Sequence, residues 1–452
     1  MWSELVLWLN SEGAEIDPDD MLVELRDVPG AGRGLFVTRD LEPSTSLFTL
    51  PADVLLNALT LAAKDIPGGG RIETSKLTST QITTLHLFLK YYEPSDRFNP
   101  YIASLPDKFD GHPLTWKIHS ESKVCGGVDK NVYILLLSLL PHSVERQLKD
   151  MKKRFWGDWN ALQELSVPRI EGKESPGLKT FLWAWLNVNT RCISFPISST
   201  PDRENDLTLC PVIDLANHTA DPQKSCALAL LSSPTELGEH GDIIKFIEVE
   251  SPPSPMKKGD QLYLRYGPHS NATLFAEYGF VLSKFTCADG TGGDDPDVHQ
   301  NYGQVVLDDI IEDMFETSGR SWMKEMLQEW NYWGDWCIYS HPQPAHPSYR
   351  LFPALRLYHL PPSSHPATPS EIRAILFGEE NDQRVKLSIL DICDTVIARA
   401  RDAIEHVNAC FDEGTSGEGW ELYSVQCIKQ LWEEEYGVAR GVKDSLENGV
   451  EF

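Results

Sequence analysis

The sequence predicts an α+β chain in two parts, on three observations. Short alternating apolar segments, separated by turns containing Gly and Pro, occupy residues 22 to 60 and again 207 to 283. Between them, from about 59 to 200, apolar residues recur at helical spacing. Beyond a stretch rich in Gly and Asp at 286 to 298, which reads as a linker or long loop, helical patterns dominate. With 452 residues and 41% hydrophobic content, the chain is long enough for two or three domains with substantial cores.

Residues 1 to 10 read as an amphipathic helix. They lack the basic start of a signal peptide, and their apolar run is too short to span a bilayer, so a cytoplasmic or nuclear protein is expected. Strands follow at 22 to 25, 35 to 38 and 46 to 50, with a forced turn at Pro29-Gly-Ala-Gly-Arg-Gly34. A dinucleotide-binding reading of those glycines fails, because that motif needs a helix next and a strand pattern follows. They let backbone approach either a ligand or another strand.

Helices are predicted at 77 to 92, 131 to 140, 144 to 154 and 179 to 188, with Trp183, Trp185 and Leu186 as core. Strands resume at 226 to 231, 243 to 249 and 261 to 266. The later helices are expected at 306 to 317, 322 to 329, 371 to 377, 387 to 410 and 420 to 436. No internal repeat or transmembrane segment is visible.

The formal net charge of −27 argues against a nucleic-acid partner, which would need concentrated Lys and Arg, and makes a basic protein the more natural charged partner. The nine cysteines include no Cys-x-x-Cys pair, so neither a zinc cluster nor a dense disulfide framework is indicated.

Chemistry concentrates at residues 209 to 218, Leu-Cys-Pro-Val-Ile-Asp-Leu-Ala-Asn-His, where Asn217 and His218 follow an apolar run that ends in Asp214. Such a pair places amide and imidazole groups at the end of a rigid element, as a cap or as a ligand contact. Arg191 stands between a helix end and an apolar segment and needs a carboxylate, structural or borne by a ligand. Tyr266 and Tyr278 lie twelve residues apart on either side of Gly267-Pro-His-Ser-Asn271.

In this order, Gly30-Ala-Gly-Arg-Gly-Leu-Phe36, Asn189-Thr-Arg-Cys-Ile-Ser-Phe195, Asp214-Leu-Ala-Asn-His218, Arg265-Tyr-Gly-Pro-His-Ser-Asn271 and Glu277-Tyr-Gly-Phe280 resemble the SET-domain protein-lysine methyltransferases, on the branch of the plant Rubisco large-subunit methyltransferase. The resemblance spans residues 1 to 284. Leu351-Phe-Pro-Ala-Leu-Arg-Leu357 is more loosely similar to that branch's substrate-binding domain, placed at 285 to 452. It implies small curved β-sheets closed by a pseudoknot, a helical insertion at about 59 to 205 and a mainly helical C-terminal domain. It also implies S-adenosylmethionine held by backbone near Ala31, Gly32, Arg33 and Gly34 and by Arg191, Asp214, Asn217, His218 and Tyr266. Tyr266 and Tyr278 would be catalytic, lining a lysine channel. No metal is implied, and a monomer acting on a protein lysine, perhaps ribosomal, is expected.

The chemistry suits these residue types, since a neutral amine must be aligned with a methyl sulfonium and water excluded. Free lysine titrates near 10.4, so the channel must favour the uncharged amine. A tyrosine with a pKa near 10 is a poor general base at neutral pH, which assigns Tyr266 to positioning and electrostatics. Histidine methylation by the same fold and a non-catalytic partner-binding module are the competing readings.

Overall fold

Helical spacing in the first ten residues produces α1 (Trp2–Ser11), which buries Leu5, Val6, Trp8 and Leu9 along one stripe. The alternating segments that follow become β1 (Val23–Val28), β2 (Gly32–Val37) and β3 (Ser46–Pro51). The computed structural model describes residues 1–28, 32–58, 60–61, 77–90, 97–121, 130–165, 177–194, 207–232, 244–282, 303–360, 368–378, 381–411 and 419–452. The chain divides into two units, residues 1–130 with 149–268 and residues 131–148 with 269–452. Among the described residues no helix is long and apolar enough to cross a membrane.

The first unit also holds α2 (Ser79–Lys90), α3 (Asn99–Ile102) and α4 (Pro113–Glu121). α5 (Lys130–Ser138) and the start of α6 (His142–Gln163) group with the second unit; the rest of α6 returns to the first, followed by α7 (Leu178–Arg191). Aromatic rings knit these helices together: Phe181 on α7 lies 6.0 Å from Phe88 on α2, and 5.2 and 4.9 Å from Phe155 and Trp159 on α6. Trp185 is fully buried, and its indole N–H donates to Asp158 Oδ2 (2.7 Å), as the expectation of an aromatic core on this helix required. The cluster fixes the axis of α7 and so the place of its last residue, Arg191.

The strands of this unit are completed by β4 (Ile193–Ser194), β5 (Leu207–Thr208), β6 (Asn217–His218), β7 (Ala227–Ser232), β8 (Ile244–Glu250) and β9 (Gln261–Leu264). They form small sheets ordered β1-β2-β9-β6, β3-β8-β7 and β4-β5. All pairings are antiparallel except that of β6 with β9, which runs parallel with Asn217 opposite Tyr263 and His218 opposite Leu264. A parallel neighbour needs a long crossover. Here it brings the Asn-His run beside the strand that leads into Tyr266.

The second unit contains α8 (Asn271–Tyr278), β10 (Gln304–Val306), α9 (Asp308–Thr317), α10 (Ser321–Glu329), β11 (Cys337–Tyr339), β12 (His346–Pro347), α11 (Leu351–Tyr358), α12 (Pro369–Phe377), α13 (Asp382–Cys410) and α14 (Gly419–Glu447). The two long helices α13 and α14 pack along each other. The core of the unit joins Val385, Ile389 and Val396 of α13 to Val438 and Val442 of α14, and to Trp336 and Leu355. The mixed fold, with a mainly helical C-terminal part, is the α+β class that the sequence implied. The three strands of the β10-β11-β12 sheet and the helices α3, α4, α8 and α11 add to the sequence prediction.

Candidate active site

The run from 209 to 218 is shaped by backbone first. Val212 takes φ +72 and ψ −57, and the Ile213 N–H donates to the Pro211 carbonyl (3.0 Å), a three-residue turn that a β-branched residue rarely adopts. The strain is held by burial, since Val212 has no exposed surface, and by the 3-10 turn Ile213–Leu215 that follows. That turn drives Asp214 inward and releases the chain into β6, where Asn217 and His218 are aligned by β9.

Three segments distant in sequence meet here. β2 and β9 pair through Leu35–Leu262 and Phe36–Gln261, and β6 lies on the far side of β9. At Gly34 the approach is close. A Cβ there would lie 2.9 Å from Asn217 Nδ2 and nearer still to Gln261 Nε2, so any larger residue would displace these two amides. Gly32, with φ +74, needs glycine for its backbone conformation.

A buried charge cluster adjoins this point. Arg191 Nη1 donates to the Asp214 backbone carbonyl (2.9 Å) and to its Oδ2 (3.2 Å), so the partner that Arg191 required is a structural carboxylate. Asp214 Oδ2 also accepts from the Tyr101 hydroxyl (2.9 Å). The Asp214 side chain is fully buried, and burial pushes its carboxyl above the usual carboxylate range against the pull of Arg191, Tyr101 and Arg33. The Tyr101 hydroxyl is held well above its ordinary pKa by burial and by the Asp214 charge, and therefore stays a donor. Burial, and then the neighbouring Arg191 charge, lower Arg33, whose Nη2 donates to the Ser104 carbonyl (2.6 Å). Cys192 and Cys210, beside the cluster, are raised by burial and remain thiols.

Tyr266 sits at the end of β9. Its backbone N–H donates to His218 Nδ1 (3.1 Å), which fixes the neutral tautomer with its proton on Nε2. The two rings lie 5.0 Å apart, and the Tyr266 hydroxyl donates to the Ala216 carbonyl (2.9 Å). Tyrosine, histidine and the Asp-x-x-Asn-His backbone thus form one connected piece.

The first unit therefore gathers Gly32, Arg33, Gly34, Arg191, Asp214, Asn217, His218 and Tyr266. Ala31 lies outside the described residues. Tyr278 belongs to the second unit, where it ends α8 with its ring 6.0 Å from His269 and 6.1 Å from Phe280. Sequence reasoning missed Tyr101 and Gln261. Gln261 had a readable signal, because it opens an alternating strand on the face opposite Leu262; Tyr101 had none.

Among the described residues, Asp214 Oδ1, Asn217 Nδ2 and Gln261 Nε2 are buried without a hydrogen-bond partner. One acceptor and two donors left over beside a glycine strand and two arginines suit a polar ligand carrying both kinds of group and an anionic end. S-adenosylmethionine, with hydroxyls, an ammonium and a carboxylate, matches that inventory. No group of three or more metal-ligating side chains is placed to hold an ion among the described residues.

No family model matches the sequence. The chain is 26% identical over 439 residues to the ribosomal lysine N-methyltransferase set11 of Schizosaccharomyces pombe, covering 95% of this chain and 94% of the relative. It is 23% identical over 444 residues to human SET domain-containing protein 4, covering 92% and 86%. Among solved structures, the SET domain of LSMT bound to lysine and AdoHcy superposes with a TM-score of 0.61 at 18% identity, over 99% of this chain and 91% of that one. The structural likeness bears on the fold, and both relatives span nearly the whole chain.

Proposed function

We propose that this chain, a member of the SET-domain protein-lysine methyltransferases on the Rubisco large-subunit methyltransferase branch, transfers a methyl group from S-adenosylmethionine to a lysine of a non-histone, ribosomal protein. The observation that carries this reading is the convergence of three distant segments, β2, residues 209 to 218 and β9, on one buried polar cluster with unpartnered donors and acceptors.

In this reading the positive charge of Arg191, itself paired with Asp214, would favour the cofactor carboxylate, and Asp214 and Asn217 would offer an acceptor and a donor to its polar groups. Backbone at Gly32 and Gly34 would make the close wall. Bound S-adenosylmethionine supplies a methyl carbon on a sulfonium, open to in-line attack by a neutral amine. Tyr266 stands at the transfer centre, its ring steadied by His218 and its hydroxyl tied to Ala216, and so orients the amine without serving as a base. Tyr278 is assigned as the second channel residue. Residues 1–284 are the catalytic domain, and residues 285–452 are the helical domain that meets the protein substrate. The protein acts as a monomer in the cytoplasm or nucleus.

Calorimetry with S-adenosylmethionine tests the premise, and no heat of binding at millimolar cofactor would remove it. Incubation with labelled cofactor and a host extract, followed by mass spectrometry of the labelled band, tests the acceptor. Label on a histidine, or none above a Tyr266→Phe control, would overturn the lysine assignment.

A further inference from the structure

One short piece of the helical insertion touches both ends of the charged cluster. α3 carries Tyr101, fully buried, whose hydroxyl reaches Asp214 Oδ2, and one turn later the Ser104 carbonyl accepts from Arg33. The piece is fixed from outside as well. Trp183 Nε1 on α7 donates to the Pro106 carbonyl (2.8 Å), and Phe98, just before α3, packs edge-on against Trp8 of α1 (6.2 Å) and His86 of α2 (5.7 Å). A hydroxyl held by three helices has little freedom to follow its acceptor.

The consequence lies in how Asp214 distributes its two oxygens. Oδ2 receives both side-chain donors, Tyr101 and Arg191, while Oδ1 has none among the described residues. An arginine and a carboxylate left to themselves favour the two-bond, fork-to-fork arrangement, which would consume both oxygens. Tyr101 occupies a site on Oδ2 that would be lost if the carboxylate turned. We infer that Tyr101 is a positioning residue for cofactor binding, holding the Asp214 carboxylate so that Oδ1 stays open to an ammonium or hydroxyl donor of S-adenosylmethionine. The inference rests on the function proposed above and adds to it a residue of the insertion that no motif contains.

The groups facing Asp214 are Arg191 from α7, Arg33 from β2, Tyr101 from α3 and the thiols of Cys192 and Cys210. The Tyr101 bond pulls the Asp214 carboxyl down against burial. Its loss lets that carboxyl rise, which moves the acid-side fall of cofactor affinity to higher pH.

The test is a double-mutant cycle on S-adenosylmethionine affinity, measured by calorimetry across neutral and mildly acidic pH, with Tyr101→Phe, Asp214→Asn and both together. Tyr101→Phe should weaken binding by about tenfold, the scale of one hydrogen bond to a charged group, and shift the acid limb upward. The double variant should be no weaker than Asp214→Asn alone. Unchanged affinity in Tyr101→Phe, or effects that multiply in the double variant, would overturn the inference. Should Tyr101→Phe fail to fold, 3-fluorotyrosine at position 101 keeps the ring and changes only the donor; a shifted acid limb supports the role and an unmoved one rejects it. Failure of the unaltered protein to bind S-adenosylmethionine is a different result, and it strikes the proposed function instead.

Discussion

Both units bury carboxylates, and they treat them differently. In the first, Asp214 is flanked by Arg191 and Arg33, yet leaves one oxygen without a partner. In the second, Glu434 and Glu435 sit side by side on α14 and receive neutral donors, Asn271 Nδ2 on Glu434 Oε2 (2.7 Å) and the Ser143 hydroxyl on Glu435 Oε1 (3.0 Å). Burial pushes Glu435 up to about 7, with Arg399 too weak an offset and Asp309 adding to the rise. On the proposed function, a carboxylate kept beside cations with an oxygen to spare serves a ligand. Glu435, met by a neutral donor, ties two segments and is tolerated because it holds its proton more tightly than a free carboxyl.

Removing the cation should separate the two cases most strongly. Arg191→Ala leaves buried Asp214 with only the Tyr101 hydroxyl and the charge of Arg33 to offset it, and we expect a loss of about 3 kcal/mol in chemical denaturation together with loss of cofactor binding. A stable variant that still binds would mean that Asp214 is neutral, like Glu435.

At Glu435 the sign runs the other way from a paired carboxylate. Its folded pKa is above the unfolded value, so the native state holds the proton more tightly. Stability is therefore full below about 4.5 and falls as pH rises toward about 7. Glu435→Gln should abolish that fall and stabilise the protein by about 3 kcal/mol at pH 8, read as urea midpoints against pH. A variant less stable than the parent at pH 8 would show that the charge itself is wanted there.

Tyr266→Phe should lower methyl transfer by roughly a hundredfold, the scale of one donor lost at a reacting centre, while cofactor affinity changes little. Near-normal turnover would show that the transfer centre lies elsewhere. The smallest effect is expected at Asn217→Ala, about tenfold weaker cofactor binding from one lost hydrogen bond. Unchanged affinity would make its unpartnered amide a packing feature of Gly34 and nothing more.

Much of this was readable before any coordinates. The strands of the first 60 residues, the hairpin of β7 and β8, and helices α2, α5, α6 and α7 follow from periodicity, because each has one face toward a core. The order of the glycine segment, Arg191, the Asp-x-x-Asn-His run and Tyr266 pointed to a shared site. Periodicity could not supply the parallel pairing of β6 with β9, since a two-residue strand has no period. Nor could it supply Tyr101, whose partner lies 113 positions away. The turn at Val212 was hidden for a different reason: local preference opposes it, and only tertiary burial sustains it. The β10-β11-β12 sheet escaped because its strands are only two or three residues long, too short to show a period.

The parallel strand β6 also bears on how the molecule is made. Two residues long, it acquires its partner only when residues 217–218 meet residues 263–264, whose strand also pairs with β2. Closing the loop between them costs conformational entropy that a two-residue pairing repays poorly, so the Asn-His segment depends on the rest of the first unit for its place. A ligand that binds only the assembled form adds RT ln(1 + [L]/Kd) to its stability. On the proposed function, bound S-adenosylmethionine would stabilise the segment that holds it, and slower amide exchange at Asn217 and His218 in its presence would be the sign.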